Sequence, residues 1–115
     1  MTSNQELPVT IDKQEEMTVL RPEGEIDLSR APSFRTVIAE VFKAKPTKVV
    51  INLCDVPYMD SSGVATLVEA MQFANRSGAV LVLVGLQDRV KSIFEIARLD
   101  TVFKIVDELS EAEGI

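Results

Sequence analysis

The sequence predicts an α/β fold in which a mixed, mostly parallel β-sheet has an antiparallel N-terminal strand and packs against about four helices. Three observations support it: apolar runs alternate with helical stripes, two of the runs are almost purely apolar, and only residues 13–16 separate the first two runs. Alternating strands and helices require parallel strands, whereas a short link joins antiparallel neighbours. We interpret residues 1–115 as one domain, a length typical of a single core.

The first strand is predicted where apolar and polar residues alternate, over residues 7–12. This period of two is typical of a half-buried strand, and Pro8 places it near a sheet edge. The polar link of residues 13–16 leads into a second apolar run at residues 17–20. These two runs are expected to form a hairpin.

The first helix is predicted from residue 31 onward. Its apolar stripe consists of Phe34, Val37, Ile38, Val41 and Phe42, and Pro32 is tolerated because it falls in the first turn. Lys45-Pro46 ends this helix, and the almost continuously apolar residues 48–54 follow. Such a run is typical of a strand covered on both faces, so we expect this strand in the centre of the sheet with Cys54 packed at its end.

The remaining elements repeat this alternation. A second helical stripe is closed by Ser77-Gly78 and consists of Val64, Leu67, Val68 and Met71. A continuous apolar strand at residues 79–84 precedes a third stripe, which consists of Val90, Ile93, Phe94 and Ala97. A last strand at residues 102–106 and a short acidic helix at residues 108–113 complete a predicted order of β-β-α-β-α-β-α-β-α.

Composition narrows the possible partners. The net charge is −6 and the sequence pI is near 4.6, with no cluster of Lys and Arg, so nucleic-acid binding is disfavoured and a protein partner is expected. An alternative explanation is that this moderate negative charge serves only to keep the protein soluble. The longest nearly apolar run, residues 79–86, is too short to span a membrane, and residues 1–10 do not resemble a signal peptide. With a single cysteine, these features predict a cytoplasmic protein without membrane insertion.

Polar side chains follow the second and third strands, where functional groups of open α/β sheets gather. One loop contains Gly24 to Asp27, and the other contains residues 55–63, ending in Met59-Asp60-Ser61-Ser62-Gly63 before the second helix. Asp60, Ser61 or Ser62 can simply cap that helix. Alternatively, free backbone N–H groups and the positive end of the helix dipole would stabilise a phosphate attached to Ser61. The spacing alone leaves both interpretations open.

An enzyme is not expected. The chain has no histidine and no glycine-rich nucleotide-binding motif, so histidine-assisted nucleophiles, histidine metal sites and the familiar cofactor loops are absent. We therefore predict no catalytic residues, no metal and no cofactor. A two-component receiver would place its phosphorylated carboxylate near Asp55, but it needs a helix between the first two strands. Tyr58 is interpreted as an exposed contact residue or a loop anchor.

The motifs together resemble a known family. Gly24-Glu25-Ile26-Asp27-Leu28, the run from Met59 to Val64, Leu81 to Gly85, and Phe94 to Asp100 are similar to STAS domains, and most of all to bacterial anti-sigma factor antagonists. The resemblance covers nearly the whole chain and implies the STAS fold. One departure is Ala65, where many antagonists have a second glycine.

The resemblance implies a regulatory function. In such antagonists the serine matching Ser61 is phosphorylated by an anti-sigma factor that is an ATP-dependent serine kinase, and a serine phosphatase resets it. The unphosphorylated protein binds the anti-sigma factor and frees the sigma factor for transcription. Residues expected to support the phosphorylation site and partner binding are Asp27, Asp60, Ser62, Gly63 and Tyr58. Alternatives are a STAS accessory subunit of an ABC-type lipid transport complex, or another partner-switching module.

Overall fold

The computed structural model describes residues 6–115; residues 1–5, the start of the segment compared with a signal peptide, lie outside the described residues. Strands and helices alternate in the predicted order, which confirms the α/β fold. The elements are β1 (Val9–Lys13), β2 (Thr18–Pro22), α1 (Ala31–Lys43), β3 (Lys48–Asn52), α2 (Ser61–Ser77), β4 (Val80–Val84), α3 (Asp88–Ile96), β5 (Lys104–Val106) and α4 (Leu109–Glu113). A 3-10 turn, Leu99–Thr101, precedes β5.

The sheet contains the five strands in sequence order. β1 pairs with β2 antiparallel, and β2, β3, β4 and β5 are parallel to one another. Each crossover therefore moves one strand along the sheet in the same direction. Because such crossovers are right-handed, α1, α2 and α3 must lie on one face of the sheet.

The two faces of the sheet are buried in different ways. On the first face, Leu20, Ile51 and Leu83 pack with Phe34 of α1, and the same cluster includes side chains of α2 and α3. The opposite face forms a smaller cluster that includes Met17, Val19, Val50, Val82, Val84 and Ala112. Of these, Ala112 belongs to α4, so this five-residue helix covers the second face.

Two packing predictions need correction. In the second helix, Leu67 is fully buried, but Val64, Val68 and Met71 are only partly buried, whereas Ala70 and Ala74 are buried. Ala70 and Ala74 lie on the buried face because the helix packs closely against its neighbours. A prediction based on large apolar side chains does not detect such small buried residues.

The second correction concerns the end of the third strand. β3 ends at Asn52, and Cys54 is exposed instead of packed. The Asn52 side-chain oxygen accepts a hydrogen bond from the Cys54 N–H at 3.1 Å, which turns the chain outward. In the part of the chain that the structure describes, no helix is long and apolar enough to cross a membrane.

Candidate functional site

The loops after β2 and β3, residues 23–30 and 53–60, lie side by side and are called here the carboxyl edge. Ile26 and Met59 form a parallel bridge between them. The Ile26 N–H donates to the Tyr58 carbonyl at 3.1 Å, and the Asp60 N–H donates to the Ile26 carbonyl at 3.1 Å. These bonds continue the parallel pairing of β2 with β3 beyond the strands and bring the two predicted loops together.

Asp60 is the N-cap of α2. Its Oδ1 accepts hydrogen bonds from the Ser62 N–H at 2.9 Å, from the Gly63 N–H at 3.3 Å and from the Ser62 hydroxyl. The Ser62 hydroxyl and these backbone amides, together with the backbone amide of Leu28, lower the pKa of the Asp60 carboxyl below its usual value. Asp60 therefore stays ionised and joins the two loops of the carboxyl edge.

Ser61 is the first residue of α2, and its side chain is exposed. Within residues 6–115 its hydroxyl makes no hydrogen bond. The sequence suggested that free amides at this helix start would receive a phosphate, but Asp60 already occupies the amides of Ser62 and Gly63. The Ser61 hydroxyl is thus presented to solvent beside an anion and not in an empty anion-binding turn.

Asp27 starts the turn into α1. Its Oδ1 accepts from the Ser29 N–H at 3.0 Å, the Ser29 hydroxyl at 2.7 Å and the Arg30 N–H at 3.1 Å. The Ser29 hydroxyl is the main cause of a lowered pKa at Asp27, although burial and the nearby negative charge of Asp60 act in the opposite direction. The carboxylate therefore shapes its own loop, and its charge lies close to that of Asp60.

Gly63 lies where α2 meets the Ile26–Met59 bridge. A Cβ at Gly63 would lie 2.9 Å from the Met59 Cβ and 3.0 Å from the Ile26 carbonyl oxygen. Real Cβ atoms do not approach other atoms so closely. The glycine thus lets the start of α2 approach the loop after β2, a packing role that the sequence did not reveal.

Tyr58 is half-buried and makes the contacts expected of a loop anchor, and its expected part in partner binding stays a prediction. Besides the backbone bond to Ile26, its ring lies under the guanidinium of Arg89, whose Cζ is 4.7 Å from the ring centroid. Arg89 belongs to α3 and was missed, because nothing in the sequence indicates that the start of α3 lies against the loop after β3. Asp55 forms an ion pair with Arg21, with 2.8 Å between the Asp55 Oδ2 and the Arg21 Nε. β1 and β2 form an antiparallel hairpin, whereas a receiver has a helix between its first two strands, so the receiver topology is excluded.

The site offers a hydroxyl, hydrogen-bonded carboxylates and a cation–π pair. Residues 6–115 contain no group of three or more His, Cys, Asp or Glu side chains arranged to hold a metal ion. The geometry provides an accessible serine hydroxyl beside the ionised carboxylates of Asp27 and Asp60.

Comparison with known proteins identifies the class. The family model described as the STAS domain matches residues 8–112. The chain is 37% identical over 92 residues to the anti-sigma-B factor antagonist of Listeria monocytogenes, covering 79% of this chain and 80% of that one. The chain therefore belongs to the STAS domain family, in the group whose curated members are named anti-sigma factor antagonists. The resemblance found in the sequence is confirmed.

Solved structures show the same fold. An anti-sigma factor antagonist from Mycobacterium paratuberculosis superposes with a TM-score of 0.86 at 21% identity, covering 94% of this chain and 92% of that one. The antagonist SpoIIAA in its unphosphorylated form gives a TM-score of 0.70 at 20% identity, covering 92% and 94%. SpoIIAA in its phosphorylated form gives 0.71 at 20% identity, covering 92% and 97%. At these identities the likeness concerns the fold.

Proposed function

We propose that this protein is an anti-sigma factor antagonist of the partner-switching type, regulated by phosphorylation of Ser61. Unmodified, it binds an anti-sigma factor that is also an ATP-dependent serine kinase and so frees a sigma factor for transcription. Phosphorylation of Ser61 releases the partner, and a serine phosphatase restores the binding form. The protein acts in the cytoplasm as the substrate of these enzymes and binds no cofactor.

The observation that carries the proposal is the placement of Ser61. It is the exposed first residue of α2, its hydroxyl is not engaged within the described residues, and the Asp60 N-cap adjoins it. A kinase needs an acceptor hydroxyl that it can reach without unfolding the substrate, and Ser61 meets that requirement. Ser62 does not, because its hydroxyl is bonded to Asp60. The name of the Listeria relative supports the partner class, and the two solved forms of SpoIIAA support phosphorylation as the switch.

Electrostatics can operate the switch without refolding. Phosphorylation adds about −1.5 to −2 charges at pH 7. The added charge lies beside the ionised Asp60 and near Asp27, on a chain whose net charge is already −6. Like or unpaired charges in an interface cost several kcal/mol, and a hundredfold loss of affinity needs only about 2.7 kcal/mol. Binding is therefore expected to weaken at least a hundredfold.

The proposal is tested with the purified chain, candidate anti-sigma factor kinases from its source organism and ATP. We expect one phosphate on Ser61 by peptide mapping, and loss of complex formation by isothermal titration calorimetry after modification. The matched control is Ser62→Ala, which should still be phosphorylated on Ser61, whereas Ser61→Ala should bind constitutively and accept no phosphate. Modification of another residue, or unchanged affinity of the fully phosphorylated chain, would refute the proposal.

A further inference from the structure

β1 is an edge strand of the sheet, because it pairs with β2 on one side only. In the part of the chain that the structure describes, no other strand pairs with its outer side. Its residues from Thr10 to Lys13 are exposed, and the apolar Ile11 keeps 46% of its surface accessible. An exposed edge strand presents a row of unpaired backbone N–H and C=O groups to which another strand can pair.

The register of the hairpin determines which backbone groups are free. The Gln14 N–H donates to the Met17 carbonyl at 2.8 Å, and the Glu23 N–H donates to the Pro8 carbonyl at 2.9 Å. Because alternate residues of an antiparallel strand face its neighbour, the even-numbered residues of the segment 8–14 direct their backbone groups to β2. The residues whose backbone groups point away from the sheet are Val9, Ile11 and Lys13.

The free row is bounded at one end and uninterrupted within. At its start, the Leu7 N–H is already used, because it donates to the Ser33 Oγ at 3.0 Å. Pro8 has no N–H, but its backbone faces β2, so its ring removes no donor from the outer side. Each of the three outward-facing residues therefore offers both an N–H and a C=O.

A second copy of β1, running antiparallel, matches this row when Ile11 lies opposite Ile11 of that copy. Val9 then lies opposite Lys13, and every free backbone group of both rows is paired. Thr10 lies opposite Asp12, so no like charges face each other directly.

The neighbouring registers fit less well. In one of them Asp12 lies opposite Asp12, which opposes like charges. In the other, Lys13 lies opposite Leu7, whose N–H is already bonded to Ser33. The register centred on Ile11 is therefore favoured both by hydrogen bonding and by charge.

We propose that two copies of this chain associate through β1 into a symmetric dimer with one continuous sheet. Ile11 packs against Ile11 of the second copy, which covers the exposed apolar side chain of the strand. Lys13 of the second copy lies over Val9, at a groove between β1 and α1 whose charged lining residue is Glu6. Self-complementary contacts of this kind are typical of a two-fold interface.

The dimer leaves the switch accessible. The strands of the two copies run in opposite directions, so the two carboxyl edges point away from each other and both Ser61 hydroxyls stay exposed. A five-residue strand offers less area than a standard interface of about 1,600 Å², and each copy has a net charge of −6. We therefore expect weak association, with a Kd between about 10 μM and 1 mM.

Analytical ultracentrifugation of the full chain over this concentration range should show a monomer–dimer equilibrium. Ile11→Lys places like charges opposite each other on the two-fold axis and should raise Kd about tenfold or more. The matched control is Ile96→Lys, which makes the same charge change at a side chain 83% exposed at the end of α3 and should leave Kd unchanged. Thermal melts should show that both variants fold like the wild type, because both residues are exposed.

Disulfide cross-linking tests the register, in a Cys54→Ser background because Cys54 is free and exposed. Ile11→Cys should form a covalent dimer on mild oxidation, since directly opposed hydrogen-bonded residues have Cα atoms about 5.5 Å apart, a distance that suits a disulfide. Thr10→Cys alone should cross-link poorly. A mixture of Thr10→Cys and Asp12→Cys should give the covalent heterodimer, because these residues lie opposite each other.

A chain that stays monomeric at about 1 mM would refute the dimer, as would an Ile11→Lys variant that associates like the wild type. Equal cross-linking of Thr10→Cys and Ile11→Cys would refute the register on which the proposal rests. A monomeric wild type whose binding to an anti-sigma factor is weakened by Ile11→Lys would assign the edge to a strand of that partner and also overturn the proposal. None of these measurements depends on phosphorylation, so the switch at Ser61 is tested separately.

Discussion

Asp60 is ionised in the folded protein because three donors from Ser62 and Gly63 converge on its carboxylate. This arrangement links its titration to the stability of α2. A carboxyl whose pKa is lowered on folding stabilises the folded state above its unfolded pKa, near 4, and that contribution is lost as the pH falls through the lower folded pKa.

Asp60→Ala should therefore reduce the free energy of unfolding by about 0.5–2 kcal/mol at pH 7, the usual cost of losing an N-cap. The deficit relative to wild type should shrink as the pH falls below about 4, because the unfolded wild-type chain binds a proton at Asp60 there while the folded chain does so only at its lower pKa. Urea denaturation of both proteins from pH 7 to pH 2 measures this difference. A deficit that stays constant down to pH 2 would show that the charge of Asp60 contributes nothing.

Ser61→Ala should change the free energy of unfolding by no more than about 0.5 kcal/mol, because the cap is Asp60 and the Ser61 side chain is exposed without a hydrogen bond in residues 6–115. Paired thermal melts of this variant and Asp60→Ala separate the two roles. If Ser61→Ala proved as destabilising as Asp60→Ala, Ser61 would have to be regarded as structural.

At the scale of elements, the start of α2 is positioned by close contact with the loop after β2. Gly63→Ala would gain about 1 kcal/mol from helix propensity. The added Cβ, however, would meet the Met59 Cβ at 2.9 Å and the Ile26 carbonyl oxygen at 3.0 Å. Neither atom is the end of a flexible side chain, and overpacking typically costs about 1–3 kcal/mol.

We therefore expect Gly63→Ala to reduce the free energy of unfolding by about 0–2 kcal/mol in spite of its better helix propensity, measured by urea denaturation. The control is Ala65→Gly, at an exposed position two residues along the same helix, which should report the propensity difference of about 1 kcal/mol alone. A stabilised Gly63→Ala protein would mean that α2 can move away from Ile26 without loss.

At the scale of the whole molecule, the right-handed crossovers place α1, α2 and α3 on one face of the sheet, and α4 packs on the opposite face. This helix buries Ala112 against the cluster that contains Val50, Val82 and Val84. Lys48 on β3 donates through Nζ to the carbonyl of Ala112 at 2.9 Å and to that of Glu113 at 3.3 Å, which fastens the helix end to the sheet.

Removing residues 108–115 should expose this second cluster, reduce the free energy of unfolding by about 2–4 kcal/mol and increase binding of a fluorescent apolar dye. Lys48→Met keeps α4 and removes only the bonds to its carbonyls, so it should cost about 0.5–1.5 kcal/mol. Guanidinium denaturation and dye fluorescence measure both effects. A truncated chain as stable as wild type would show that α4 is dispensable to the core.

The sequence by itself determined the order of elements, the mixed sheet and the position of Ser61 at a helix start. Periodicity is a local property, because one face of each helix or strand must be apolar to be buried. The apolar runs in β3 and β4 likewise predicted burial on both faces, as observed for the strand centres. These features depend on neighbours along the chain, so they can be predicted from the sequence alone.

Only the tertiary structure decided which groups meet. Gly63 against Ile26, Arg89 over Tyr58, and α4 on the face opposite α1 all join residues distant in sequence. It also decided that Asp60 and not Ser61 is the cap, since several short polar residues at a helix start satisfy the same local preference. The physical reason is that close packing and hydrogen-bond geometry depend on distances between elements, which no period along the chain encodes.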